Sequence, residues 1–265
     1  MNLPEQGIPW LIWAGAVAVG AAVGSFLNVC IYRLPMGGSL LRPRSHCPKC
    51  GSPIQPYDNI PIISFFLLRG RCRNCKERIS PRYPLVEALT AASATALLYR
   101  YGLGFETFIL FVFICGLIVA SFIDLDHQII PDVITYPGIA LGVISSFVSQ
   151  SVHWMDSVLG AVVGGGILLI VAIGFRLIRK KEGMGLGDVK FLAMIGAFLG
   201  WKAVILTLVL SSFVGAIVGY LSLRLSGKGS HEPIPFGPFL ALGAVAYMFG
   251  GESFVDWYLS LGGSP

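Results

Sequence analysis

Long apolar runs separated by short polar stretches constrain this chain more than any other feature of its sequence. Eight runs stand out, at 8–32, 84–101, 105–125, 132–150, 157–178, 188–201, 203–223 and 235–259. Crossing the hydrocarbon core of a bilayer takes about 20 residues of apolar helix, and most of these runs approach that length. Across the 265 residues, 55% are hydrophobic and only 12% are charged, against about a quarter charged in a soluble domain. The chain is therefore expected to be an all-α polytopic membrane protein with about eight transmembrane helices. Glu5 is the only charge ahead of the first run, which lacks the basic flank of a secretory signal and is read as a retained first helix, 1–32.

The cations sort by loop. Arg33, Arg42, Arg44, Lys49, Arg69, Arg71, Arg73, Lys76, Arg78 and Arg82 mark the stretch 33–83; Arg176, Arg179, Lys180, Lys181, Lys190, Arg224 and Lys228 mark later loops on the same side. Only Arg100 and Lys202 fall opposite. By the positive-inside rule this bias puts loops 33–83, 126–131, 179–187 and 224–234 in the cytosol of a bacterial inner-membrane protein, with both termini outside. The net charge of +5 is explained by orientation in the membrane, so no nucleic-acid role is assigned. Glycine-rich stretches such as Gly164-Gly165-Gly166 fit close helix packing.

The loop 33–83 is large enough to be a small domain, with 84–265 forming the helical domain behind it. About 50 residues bury little core of their own, so the loop needs a staple. Cys47-Pro-Lys-Cys50 and Cys72-Arg-Asn-Cys75, with 21 residues between the pairs, have the spacing of two chelating turns on one structural zinc ion. Two disulfides or a redox pair are the competing readings, disfavoured in a reducing cytosol and outside a βαβ context. Four protein ligands close the site to water, which makes the expected Zn2+ structural. Cys30 and Cys115 lie inside apolar runs and are read as small buried hydrophobes.

Carboxylates cluster twice at membrane boundaries. Ser121-Phe-Ile-Asp124-Leu-Asp126-His127 through Pro131-Asp132 places three in nine residues, and Gly183-Met-Gly185-Leu-Gly187-Asp188-Val-Lys190 sets one behind closely spaced glycines. Ionisable groups at such depth are candidates for function. Asp126 and Asp132 also suit a loop and a helix cap, and Asp188 a helix N-cap. The glycines do not make a phosphate loop, because no strand precedes them and an acid follows. Together the clusters offer paired carboxylates on helix ends that can converge, the chemistry of aspartic proteases.

In these residues the chain resembles the bacterial type IV prepilin peptidases, the GxGD-type leader peptidase/N-methyltransferase family. The likeness is carried by Gly24-Ser-Phe-Leu-Asn28-Val-Cys-Ile-Tyr-Arg33-Leu-Pro35, the four cysteines, Ser80-Pro-Arg-Tyr-Pro-Leu-Val-Glu87, Asp124-Leu-Asp126 through Asp132, and Gly185-Leu-Gly187-Asp188-Val-Lys190. It implies that Asp124 and Asp188 are the catalytic pair, with Asp126, Asp132, Gly185, Gly187 and Lys190 in support. It implies cleavage of type IV prepilins or type II secretion pseudopilins after glycine on the cytosolic side, then N-methylation of the new terminus with S-adenosylmethionine. No strand-linked GxGxxG marks a cofactor site; Glu87 is a candidate there, and equally an acid placed for a helix dipole.

Two other classes remain as alternatives. An acid-lined transporter would carry its acids nearer the membrane middle, and a zinc-loop scaffold would leave Asp124 and Asp188 unused. A peptidase without methyl transfer is the nearer alternative. With Asp124 near a helix C-terminus and Asp188 near a helix N-terminus, Asp188 is expected to be the resting anion and Asp124 the resting acid, a pair whose coupling allows the proton to be shared, with Lys190 either stabilising that anion or extending to the cytosol.

Overall fold

A computed structural model describes residues 9–179, 185–226, 234–251, 253–255 and 257. Ile8, loop residues 180–184 and 227–233, and the last residues of the final expected span lie outside the described residues. Eight α-helices are named here: α1 (Trp10–Arg33), the single turn α2 (Ile63–Leu67), α3 (Arg82–Tyr101), α4 (Phe105–His127), α5 (Asp132–Ser145), α6 (Trp154–Arg179), α7 (Leu186–Ser226) and α8 (Gly237–Ala246), the last continued by a π-turn, Tyr247–Gly251. No strand longer than an isolated bridge occurs among the described residues, which bears out an all-α membrane fold. Helices α1, α4, α6 and α7 are long and apolar enough to cross a bilayer; α5 and α8 are shorter apolar helices.

The chain divides into two compact units, one up to Val119 and one from Ala120. In the first, α1 and α3 pack antiparallel through small residues. A methyl group at Gly20 would sit 2.7 Å from the Ala91 backbone, and one at Gly24 2.6 Å from that of Glu87. One turn further on, the Asn28 side-chain amide donates to the carbonyl of Tyr83 at 3.1 Å. Backbones in this kind of contact gain packing that larger side chains would prevent.

In the second unit, the first half of α7 is the central element, with Phe191, Leu192, Ile195 and Ala197 fully buried. Helix α6 runs antiparallel along it, Gly160 touching Gly196 and Gly164 touching Leu192. Helix α5 runs parallel to it, Gly138 against Met194 and Gly142 against Ala197. The Ser157 hydroxyl donates across this core to the Ala197 carbonyl at 2.6 Å.

The expected runs 188–201 and 203–223 form the one element α7, broken at Gly200, whose φ of 80° is left-handed. A methyl at Gly196 would come within 2.9 Å of Val204. Eight residues of straight helix rise about 12 Å, so this contact requires the chain to reverse at Gly200. The returning half runs antiparallel to α8, Thr207 beside Gly243 and Gly219 beside Ile234. The run expected at 132–150 ends earlier, at Ser145, where the hydroxyls of Ser145 and Ser146 bond back to Gly142 and Val143 carbonyls. Such local bonding competes with continuing the helix.

Candidate aspartic active site and metal centre

Asp124 lies one turn before the end of α4 and is only 5% exposed. The helix stops because Gln128, at φ 55°, turns left-handed while its N–H still reaches the Asp124 carbonyl at 2.9 Å. Ile129, Ile130 and Pro131 then lead into α5, which starts at Asp132 with Pro131 preceding it. Gly187, in the first turn of α7, packs onto this connection: a methyl there would sit 3.1 Å from Ile130 Cβ and 3.3 Å from its backbone nitrogen. That approach sets Asp188 on the first turn of α7 within electrostatic reach of Asp124. The two aspartates singled out in the sequence are thus brought together where the glycine in the first turn of α7 packs on the connection between α4 and α5.

A third helix end completes the site. The Gly237 N–H, at the start of α8, donates to Asp124 Oδ2 at 2.8 Å. A side chain is barred there, since a methyl at 237 would sit 2.8 Å from the same oxygen and 3.2 Å from Ile130 Cδ1. Sequence reasoning missed Gly237. The available signal was Pro235-Phe-Gly237-Pro238, a glycine with proline just inside a helix start, but nothing local linked it to a carboxylate 113 residues away. Only α4 entered the charge-state expectation for Asp124. With a donor from α8 on its carboxylate, helix-end position alone does not sort anion from acid.

Lys190 forms an ion pair with Asp132 and lies over the Tyr136 ring at 5.2 Å. It ties the first turn of α7 to the first turn of α5, on either side of the aspartate pair. Asp126 is exposed at the end of α4, and Gly185 accepts the Asp188 N–H at 3.2 Å.

In the other unit, Cys47, Cys50, Cys72 and Cys75 place their four sulfurs within 4.8 Å of one another, a cluster able to hold a metal ion. The two turns are built alike. Gly51 N–H bonds to the Cys47 carbonyl at 2.9 Å and Lys76 N–H to that of Cys72 at 3.0 Å; Cys47 and Cys72 N–H bond to Ser52 and Glu77 carbonyls at 2.9 and 2.8 Å. Hydrogen bonds from the Ser52 side chain and backbone draw the Cys50 thiol down to about 6. A backbone hydrogen bond from Cys75, then one from Asn74, lower that of Cys72. Against a backbone hydrogen bond from Glu77, burial and the three neighbouring sulfurs push the Cys75 thiol up to about 12; thiolates are the form that binds metal, so binding would release its proton.

Glu87 is buried on α3, and its Oε2 accepts the Ile62 N–H at 2.7 Å. Ile62 has φ 62°, an uncommon conformation for a β-branched residue, and the bond holds it there. The carboxylate thus clasps the middle of the cysteine loop, between its two cysteine pairs, to α3.

Two family models match the chain. One, the bacterial peptidase A24 N-terminal domain, covers residues 18–101 and therefore the four cysteines and Glu87. The other, the type IV leader peptidase family, covers 111–220 and therefore both aspartate clusters. A prepilin leader peptidase/N-methyltransferase of Aeromonas hydrophila is 38% identical over 96% of each chain. The chain belongs to the type IV leader peptidase family. Proteins of the same name from Pseudomonas aeruginosa and Pseudomonas putida are 39% identical, over 93% of each chain, and 40% identical, over 91% of this chain and 92% of the relative. No solved structure matches the chain. Gly237 falls beyond the residues that the leader peptidase family model covers.

Proposed function

We propose that this chain is an aspartic endopeptidase of the bacterial inner membrane that removes the leader of type IV prepilins or type II secretion pseudopilins, and then methylates the new N-terminus. The observation that carries this reading is the meeting of Asp124 and Asp188 at helix ends, one nearly buried and both within reach of each other's charge. Two carboxyls so placed share a proton. One withdraws a proton from water as it attacks the peptide carbonyl, and the other protonates the departing amine. Gly237 holds Asp124 in place from α8, while the Lys190–Asp132 pair fixes α7 against α5.

The bias of cations toward loops 33–83, 126–131, 179–187 and 224–234 supports a cytosolic site. There a bond lying just before a substrate's apolar helix is presented while that helix stays in lipid. Cleavage after glycine, and the choice of pilin or pseudopilin, rest on the family resemblance and on the names of the relatives.

The four cysteines fit Zn2+. A tetrahedral ion with Zn–S bonds of about 2.3 Å sets its sulfurs about 3.8 Å apart, and Cys47 Sγ lies 3.8 Å from Cys75 Sγ. The ion would staple the loop and leave no open position for a water. S-adenosylmethionine is the methyl donor in this reading. Among the described residues no strand-linked glycine-rich turn offers a dinucleotide-type site, and no step of methyl transfer is routed through Glu87, whose carboxylate is engaged by Ile62.

Purified enzyme incubated with a prepilin is expected to release the leader, with Asp124→Asn and Asp188→Asn each lowering the rate by at least a thousandfold. Undiminished cleavage by both variants would refute the pair. Mass spectrometry of the product N-terminus reads the cut position and the added methyl group together, and a cleaved but unmethylated product would mark a peptidase only.

A further inference from the structure

The single-turn helix α2 turns three large apolar side chains outward. Ile63, Phe66 and Leu67, at spacings of three and four and so on one helix face, are 56, 70 and 76% exposed. The opposite side is anchored: buried Ser64 donates to the Tyr57 carbonyl at 3.0 Å and accepts the Ile60 N–H at 3.1 Å. The outward face is therefore fixed in place, and it is costly in water.

Directly after it lies a concavity of about 450 Å³ lined by Leu68, Arg69, Arg71, Cys72, Arg73 and Lys76. Arg73 is paired with Asp58 at 2.6 Å. Among the described residues, no carboxylate forms an ion pair with Arg69, Arg71 or Lys76. Three cations without a counter-charge thus surround a hollow beside an apolar ridge.

The position of this ridge follows from Ile62, the residue before α2. Its N–H is held by Glu87, and it lines an apolar groove with Trp13 and Val17 of α1 and Ala88 and Ala91 of α3. The chain thus passes from the flank of two apolar helices into α2 within one residue, so the exposed ridge of α2 continues an apolar surface that α1 and α3 offer to lipid. Apolar side chains next to cations, continuous with such a surface, are the pattern of an interfacial segment.

We propose that α2 and the basic hollow form a docking surface for anionic phospholipid headgroups: Ile63, Phe66 and Leu67 enter the acyl boundary, and Arg69, Arg71 and Lys76 hold the phosphate. The partner is a membrane lipid and not a free anion, because the hollow adjoins an apolar face that a soluble phosphate leaves uncovered. The surface would press the cysteine loop onto the bilayer. It is independent of the peptidase reading, since it needs only a chain embedded in lipid.

The test uses the full-length, metal-loaded protein purified with a one-to-one mixture of phosphatidylglycerol and phosphatidylcholine of matched acyl chains, with retained lipid counted by native mass spectrometry. Wild type is expected to retain phosphatidylglycerol preferentially. Arg69→Gln with Arg71→Gln should lower that preference about thirtyfold, as expected for two cations near an anionic surface. Phe66→Ser with Leu67→Ser, which leaves every cation in place, should lower retention of phosphatidylglycerol as well. An unchanged lipid ratio in the arginine variant, with its metal content intact, would overturn the proposal. So would displacement of the lipid by millimolar inorganic phosphate, which would make the hollow a simple anion site.

Discussion

At the scale of single residues, the contact most open to test is the one from Gly237 to Asp124. Alanine at 237 would drive a methyl group to 2.8 Å from Asp124 Oδ2, closer than carbon and oxygen tolerate, so the carboxylate must move or α8 must shift. Displacements of about 1 Å at a reacting group cost on the order of a hundredfold in rate. Gly237→Ala is thus expected to lower kcat by about that factor, with a smaller change in KM and an unaltered helical circular dichroism spectrum. Equal kcat in wild type and variant would separate Gly237 from the reaction. Lys190 and Asp132 call for a gentler expectation. Their side chains are 22 and 57% exposed, and ion pairs in contact with water contribute about 0.2–1 kcal/mol. A double-mutant cycle with Lys190→Gln and Asp132→Asn, read by thermal unfolding, should return a coupling in that range and a peptidase loss far below that of Asp124→Asn. Both aspartates of the central pair were legible in the sequence, because a carboxylate at a membrane boundary is conspicuous. Gly237 was not, because a backbone N–H has no signature in residue type.

At the scale of elements, the two cysteine turns show how one backbone plan accepts different residues. The position after the second cysteine is left-handed in both, occupied by Gly51 at φ 70° in one and by Lys76 at φ 59° in the other. Glycine adopts this conformation freely, whereas other residues incur roughly 1–2 kcal/mol. Lys76→Gly should therefore raise metal affinity up to about tenfold in a competition titration with a chelator, and Gly51→Val should lower it by at least as much. Removing the metal altogether should cost the loop its protection from protease while the apolar helices remain uncut, because about 50 residues without a staple bury too little to stay folded. A loop equally resistant in chelator and in zinc would show that the cysteines are not its staple. The CxxC pairs were plain in the sequence. Their likeness as a matched pair of turns was not, since Gly51 and Lys76 share a conformation and nothing else. The end of α5 was hidden for a related reason: Phe147 and Val148 extend the apolar run past Ser145, but serine hydroxyls bonded back to carbonyls end the helix first.

At the scale of the whole molecule, the order and approximate limits of the apolar helices could be read from hydropathy alone, because the bilayer imposes one length and one composition on every crossing. How they pack could not. The glycines that let α6 meet α7, and α5 meet α7, lie inside apolar runs where hydropathy treats them as neutral filler. Within the second unit, the packing gives direction to each helix. Helix α4 ends, and α5, α7 and α8 begin, at the aspartates, while α7 reverses at Gly200 and returns along α8 toward Ile234. The connection between α5 and α6, residues 146–153, therefore lies at the opposite end from Asp124 and Asp188. Arg176, Arg179, Lys190 and Arg224 all belong to the aspartate end by helix order, and cations mark the cytosolic side. Alkaline phosphatase, which is active only outside the cytosol, should be active when fused within 146–153 and inactive when fused at 128–130 or after Ser226. A fluorescent protein that matures only in the cytosol should give the reverse pattern. Phosphatase activity at 128–130 would place the aspartates outside. A leader peptide held in the cytosol could not reach them there, so the same result would remove the proposed substrate along with the orientation.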